Sequence, residues 1–501
     1  MLPPKFIEQR LQQAVKSALP DADISAVLIR PCPDLRFGDY QTNALILQEQ
    51  RTVSSSAVLD TAGCLAYGFA KMRFSSKAVH RWNMRKSAFA SVFVLLASLM
   101  AFSPAPAAAQ AAPANPSGLW DAVLVQGAVQ IPFRYEIAVR GDQAQGFFFE
   151  GDQRVGSSAG TFANGTLKIE YDHLNTVLEA KLEGDQLTGT YRNNRAGARA
   201  TEFRAKRFAP VTGQADPPQV AGDWMMSRVA AERTAPRDTR TWTLYLRQSG
   251  AEVTGSILRV DGDTGTLSGH WAAGKLVLSH FAGERPLYVE IKPNADGTLG
   301  VLLNGNANYI AARSSEARAK GIPDPPDPSR YTSVKDPTEP FHFTGLGMDG
   351  KMVSDTDPRF KGKAVILAIG GSWCPNCHDE APFLVELYNK FHAQGLEIVG
   401  LSFENDADPK VSQPRMQSFI RRYNIQYPML LLGTTDEINA KLPQIVNFGA
   451  YPTSIYLGRD GRVRSVHAGF ASAATGDEHV RLEREITELV QRLLTEKSAA
   501  D

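Results

Sequence analysis

Cys374 and Cys377 stand in the run Gly371-Ser-Trp-Cys-Pro-Asn-Cys-His-Asp-Glu380. Read as C-x-x-C, they form a dithiol that can carry two electrons by closing a disulfide. Read as C-x-x-C-H, the same letters spell a covalent c-type haem attachment site, with His378 as axial ligand. The chain has four cysteines in 501 residues, the others being Cys32 and Cys64. That is far too few for a disulfide scaffold, so the Cys374/Cys377 pair is chemical rather than architectural.

The flanking segments decide between the two spellings. Ala364-Val-Ile-Leu-Ala-Ile369 is a continuous apolar run, the pattern of a strand buried on both faces. After the cysteines, Phe383, Leu384, Leu387 and Phe391 share one helical face. Gly395 ends that helix, and Leu396–Phe403 reads as the next parallel strand. Strand, C-x-x-C, helix, strand is the setting of a redox dithiol. A cysteine opening a helix faces unpaired N–H groups and the positive end of the dipole, which favour a thiolate. Cys374 is then the nucleophile and Cys377 the resolving thiol, with Pro375 suited to the first helical turn. Asp379 and Glu380 also suit an early turn, although they oppose the thiolate. A c-type cytochrome instead wraps its haem in helices and supplies a distal ligand. On this reading His378 is an incidental, surface-facing helix residue.

Phe360-Lys-Gly-Lys363, Gly371–Cys377, Tyr451-Pro-Thr-Ser-Ile-Tyr456 and Arg459-Asp-Gly-Arg-Val463 occur in that order along the C-terminal third. With them, residues 340–494 resemble the thioredoxin-like family of exported thiol–disulfide proteins that includes TlpA and ResA. The resemblance implies a cis-proline at Pro452 and substrate contacts from Trp373, Pro375, Tyr451 and Pro452. It implies protein-disulfide reductase work on exported proteins with cysteine thiols or disulfides, such as the cysteines of apocytochromes. A membrane electron donor of thiol–disulfide type would re-reduce the dithiol, and neither a cofactor nor a metal ion is implied. One position departs from cytosolic thioredoxins, which carry a buried aspartate six residues before the first cysteine; here it is Ala368. Glu404 is the expected replacement as proton acceptor for Cys377, with Asn405 competing for the same register. Two other readings stay open: a partner-binding scaffold with an ancillary dithiol, and a thioredoxin-fold peroxidase. Against the peroxidase, Ala-Ile-Gly-Gly-Ser-Trp precedes Cys374 in place of P-x-x-x-T/S-x-x-C.

Upstream the pattern changes. Phe133–Val139, Thr166–Tyr171 and Leu178–Leu182 alternate apolar and polar residues between Gly-Asp, Asn-Gly and Asp-Gly turns, the mark of half-buried antiparallel strands. The region is duplicated. Gly118-Leu-Trp120 returns as Gly222-Asp-Trp224, Ala159–Leu167 as Ser268–Leu276, and Leu187–Tyr191 more weakly as Thr298–Leu302, at offsets from 104 to about 110 residues. The expectation is two tandem all-β domains, barrel or sandwich, at 117–210 and 218–315. A Pro-rich linker at 316–339 leads to an α/β thioredoxin-like domain at 340–501. Trp120, Trp224, Trp242 and Trp271 are expected in the β cores. His173, His270 and His280 show no metal-ligand spacing.

Met84-Arg-Lys86, the apolar run Ala88–Phe102 and the small residues around Ala109-Gln-Ala111 have the anatomy of a secretory signal. The run is 15 residues long, against the roughly 20 that a spanning helix needs. The expected location is the bacterial periplasm, soluble after cleavage within 84–111; an uncleaved anchor is the alternative. Residues 1–45, with Leu35-Arg-Phe-Gly-Asp-Tyr-Gln-Thr-Asn-Ala-Leu45, resemble the N-terminal segment of bacterial arginyl-tRNA synthetases. No ATP-binding signature or basic tract follows. Residues 1–83 are therefore expected to be a fusion remnant or mis-called start outside the mature protein. A net charge of +1 gives no electrostatic argument for nucleic acid.

Overall fold

The computed structural model describes residues 29–31, 40–42, 115–194, 197–210, 216–235 and 240–497. The chain divides into two compact units, Met1–Gln110 and Ala111–Asp501. In the first, the described residues form one antiparallel pair, Ile29–Pro31 with Tyr40–Thr42. The expectations for 1–83 and for the export segment 84–111 otherwise lie outside the described residues.

The alternating runs of the second unit fold as expected into strands: β1 Gly118–Gln126, β2 Val129–Arg140, β3 Gln143–Glu150, β4 Gln153–Gly156, β5 Ala159–Ala163, β6 Thr166–Tyr171, β7 Thr176–Glu183, β8 Gln186–Asn193 and β9 Thr201–Arg207. Their order is β2-β1-β9-β8-β7-β6-β5-β3-β4, and β2 also pairs with β3. That last pairing closes the sheet into a barrel and removes its free edges, with β4 attached outside the ring.

A second set repeats the plan: β10 Gly222–Arg228, β11 Trp242–Ser249, β12 Glu252–Arg259, β13 Gly262–Asp263, β14 Leu267–Ala272, β15 Lys275–His280, β16 Leu287–Pro293, β17 Leu299–Leu303 and β18 Ala307–Arg313. Its order, β11-β10-β18-β17-β16-β15-β14-β12-β13 with β11 closing on β12, matches the first barrel strand for strand. The sequence echoes fall on equivalent elements. Asn164-Gly165 and Ala273-Gly274 turn corresponding hairpins with positive φ at both residues (51° and 72°; 49° and 77°).

Each barrel opens with the same clasp. Trp120 Nε1 donates to Pro116 O at 2.8 Å, and Trp224 Nε1 to Val220 O at 2.9 Å. Arg207, from the last strand of barrel 1, lies 4.2 Å over the Trp120 ring; Arg313 lies 4.0 Å over Trp224 in barrel 2. Trp120, Trp224 and Trp271 are core residues. Trp242 is half-buried and stacks on Tyr309 at 5.0 Å. The interior of barrel 1 is filled by aromatic side chains, with the Tyr135 and Tyr171 hydroxyls hydrogen-bonded to each other at 2.9 Å.

The C-terminal part contains α1 Pro328–Tyr331, β19 Ser333–Val334, β20 Thr344–Gly347, β21 Met352–Ser354, β22 Ala364–Gly370, α2 Pro375–Phe391, β23 Leu396–Glu404, α3 Pro409–Tyr423, β24 Met429–Thr434, α4 Ile438–Lys441, β25 Ile445–Val446, β26 Thr453–Leu457, β27 Val463–Ala468 and α5 Asp477–Leu494. The main sheet runs β21-β20-β24-β23-β22-β26-β27. Strands β22, β23 and β24 are parallel; β26 pairs antiparallel with β22, and β27 antiparallel with β26. Every residue of β23 is buried. On one face Ile366 and Ile398 pack with Leu384 and Leu387 of α2 and Ile486 and Val490 of α5. On the other, Leu367, Val399 and Leu401 pack with Ile438 of α4. Strand β22 delivers the chain from the centre of this sandwich to Cys374 at its carboxyl end.

Candidate redox site

Cys374 is the N-cap of α2, with extended φ and ψ (−91°, 113°), and its Sγ accepts the Cys377 N–H at 3.3 Å. Pro375 occupies the first turn, where no N–H is required. Cys377 lies one turn along the helix. Neither sulfur is in a disulfide, so the pair is a dithiol in this structure. Cys374 is only 3% exposed. The loop into the helix is tightly held: Trp373 Nε1 donates to Phe403 O at 2.8 Å. A Cβ at Gly371 would lie 2.6 Å from that same carbonyl, so only glycine fits there.

The Tyr451–Pro452 peptide is cis. The Tyr451 ring meets the Trp373 ring edge-on at 5.4 Å, which brings the loop to the edge of the dithiol. Trp373, Pro375 and Tyr451 are half-buried, whereas Pro452 is buried.

Glu404 is fully buried at the end of β23. Its carboxylate accepts three hydrogen bonds, from Ser372 N (2.8 Å), Ser372 Oγ (2.7 Å) and Ser402 Oγ (2.7 Å). All three partners are donors, two of them on the residue before Trp373, so Glu404 braces the cysteine loop. Asn405 is exposed.

The carboxyl group that joins Cys377 comes from α2 itself. Glu380 follows Cys377 by three positions and so shares its helical face. Both line a pocket of about 30 Å³ with Ala368 and Tyr427. Glu380 Oε1 accepts a hydrogen bond from Ser454 Oγ at 2.8 Å, and Ser454 is the cross-strand partner of Ala368. A helix-borne carboxyl thus stands beside the strand position where thioredoxins carry aspartate. Burial pushes Glu380 up to about 7, with the Ser454 hydroxyl opposing. Burial also pushes the Cys377 thiol well above its ordinary value, and the Cys374 sulfur and Glu380 carboxylate act in the same direction. Sequence spacing could have found Glu380; it reads there as a first-turn acid because its burial is tertiary.

His378 is not surface-facing. Its Nε2 is 2.9 Å from Ser372 O and its Nδ1 2.9 Å from Tyr423 OH. The ring packs against Phe419 at 4.8 Å and lies 6.4 Å from His173 of barrel 1. Both imidazole nitrogens are engaged within the protein, and burial lowers His378 to about 4.

Arg285, from the β15–β16 loop of barrel 2, also reaches this helix terminus. Its guanidinium donates to Asn376 Oδ1, to Asp263 O at 2.7 Å and to Asp379 Oδ2 at 3.2 Å. Nothing in its local sequence signals this.

Residues 336–466 match the AhpC/TSA family. The thiol–disulfide oxidoreductase ResA of Bacillus cereus is 30% identical over 122 residues, covering 24% of this chain and 63% of ResA. The C-terminal domain is similar to ResA. ResA of Geobacillus thermodenitrificans is 26% identical over 138 residues, covering 28% of this chain and 72% of its own. A thiol:disulfide interchange protein from Chlorobium tepidum TLS aligns at 25% identity over 32% of this chain and 99% of its own, with a TM-score of 0.26. The chain thus spans 63% of the length of the Bacillus cereus ResA it matches, and the likeness falls within the thioredoxin-like domain. Among the described residues, no helix is long and apolar enough to cross a membrane.

Proposed function

We propose that the chain is an exported thiol–disulfide oxidoreductase that reduces protein disulfides through Cys374 and Cys377. The observation that carries this reading is the shared pocket of Cys377 and Glu380, one turn from a cysteine that caps α2. Cys374, as thiolate, attacks one sulfur of a substrate disulfide. A Cys374–substrate bond forms, the substrate S–S bond breaks, and one substrate thiolate leaves. Cys377 then gives its proton to Glu380 and attacks the Cys374 sulfur. The mixed disulfide breaks, and the second substrate thiolate leaves and takes up a proton. The substrate has gained two electrons and the dithiol has become the Cys374–Cys377 disulfide. A thiol donor at the membrane returns the electrons. Tyr451 and Pro452 border the incoming substrate chain, with Trp373 and Pro375 beside the attacking sulfur. Glu404 acts by holding Ser372, upstream of the nucleophile. The segment 84–111 supplies the export signal, and residues 1–83 are absent from the mature protein.

Oxidised glutathione tests the scheme. Cys377→Ser should accumulate a Cys374–glutathione adduct visible by intact mass, while the unsubstituted protein proceeds to its internal disulfide and two free glutathiones. No adduct and no internal disulfide would favour the scaffold reading, in which the dithiol is ancillary.

A further inference from the structure

Cys374, the N-cap of α2 at the carboxyl edge of the sheet, is almost wholly covered. Both barrels come down on this corner, through the same loop of their common plan. In barrel 1 the β6–β7 loop carries His173 to the His378 ring. In barrel 2 the β15–β16 loop carries Arg285 to Asn376 and Asp379. These contacts fall on residues 376, 378 and 379, which include one of the two residues between the cysteines.

The second loop is itself anchored at both ends. Phe281 inserts among Phe133, Phe148 and Tyr191 of barrel 1, at ring distances of 4.8, 5.1 and 5.3 Å. The Gly283 carbonyl accepts the Tyr191 hydroxyl at 2.7 Å. Two residues later, Arg285 spans barrel 2 and α2. Around it the β12–β13 turn of barrel 2 presses on the thioredoxin-like domain. Asn376 Nδ2 donates to Asp261 O at 2.5 Å, and Asp263 accepts from Ser472 N at 2.6 Å and Ser472 Oγ at 3.0 Å. The fit leaves no room: a Cβ on Gly262 would lie 2.6 Å from Asn376 Nδ2 and 2.8 Å from Phe470 O. Gly469, which faces the same turn, donates its N–H to Pro452 O at 2.7 Å, so the covered area extends to the cis-proline loop.

We infer that the two barrels form a gate over the dithiol and that Arg285 is its latch. Docked, the gate lets small thiols and disulfides reach the covered Cys374 only through slight local opening and shuts out a folded protein. A protein disulfide reaches Cys374 only when the β15–β16 loop lets go of Asn376 and Asp379. The barrels thereby set which disulfides react, and Arg285 is a specificity-determining residue outside the sulfur chemistry. This rests on the dithiol being the reactive centre proposed above.

Alkylation measures access without any redox step, so it separates the gate from the reductase reading. In a full-length Cys377→Ser background, the rate of loss of the unmodified Cys374 peptide is followed with N-ethylmaleimide and with a maleimide on a long polyethylene glycol chain. The ratio of small-reagent to large-reagent rates is referred to the same ratio in urea. The gate predicts a native ratio well above the urea value. Arg285→Ala should lower it by about tenfold or more, as expected for losing hydrogen bonds made by a charged group. Gly262→Ala leaves Arg285 intact and wedges the turn away, so it should act in the same direction; it decides the matter if Arg285→Ala fails to fold by circular dichroism. A native ratio equal to that in urea, or one that folded variants leave unchanged, overturns the gate.

Discussion

Glu380 Oε1 and Ser454 Oγ are joined by a 2.8 Å hydrogen bond inside the domain, and Ser454 pairs across the sheet with Ala368. This bond fixes a carboxyl from helix α2 against the strand that leads to the cysteines. It holds, in the pocket that Cys377 also lines, the carboxyl proposed as that thiol's proton acceptor.

Glu380→Gln should therefore remove a titration from the reaction. Glu380 sits at about 7, so its accepting carboxylate form grows as pH rises through that value. Reduction of a small disulfide should accelerate across the same interval in the unsubstituted protein. In Glu380→Gln the inflection near 7 should vanish, with a rate lower by about a hundredfold at pH 8, the low end for loss of a general base. An inflection that survives would assign it to another group.

The same carboxyl links pH to stability. Its folded value lies above the roughly 4.3 of an unfolded chain. Between about 4.5 and 7 the folded protein therefore holds a proton that the unfolded chain releases, so this group's contribution falls as pH rises through that window. Urea unfolding of Glu380→Gln should show a shallower decline from pH 5 to pH 7 than the unsubstituted protein. A steeper decline would contradict the assignment.

Ser454→Ala removes the one hydrogen bond that lowers Glu380. The kinetic inflection should move upward in pH, with a stability loss of about 1 kcal/mol for the deleted bond. A downward movement would show that Ser454 does not act on this carboxyl.

Glu404→Gln separates bracing from proton transfer. An amide keeps one acceptor oxygen and puts a donor in place of the other, so a serine hydroxyl that now donates must turn round to accept. Unfolding should become easier by about 1–3 kcal/mol, with the kinetic inflection near 7 unmoved. A displaced inflection would return Glu404 to the proton path.

The elements around the dithiol were legible because their patterns are local. A buried strand, a capped helix with one apolar face and a second buried strand leave their marks within about forty residues of the cysteines, and the duplicated β region shows its repeats directly. Barrel versus sandwich was not legible. Period-two alternation suits both, and only the β2–β3 and β11–β12 pairings close the sheets. The electrostatics of the site were also hidden. Asp379, Glu380 and His378 look like early-turn surface residues until Ser454, Tyr423 and the barrels cover them. Arg285 lies 89 positions before Cys374, in a loop whose destination depends on Phe281 docking into the other barrel.

Equilibration of the protein with reduced and oxidised glutathione, reading the fraction of Cys374–Cys377 disulfide by mass, tests the reductase claim most directly. The potential is an equilibrium quantity, so the result does not depend on how fast glutathione passes the barrels. A reductase dithiol should have a reduction potential near that of thioredoxin, about −270 mV. A value near −120 mV, that of a strong oxidant, or no internal disulfide at any poise, would contradict it.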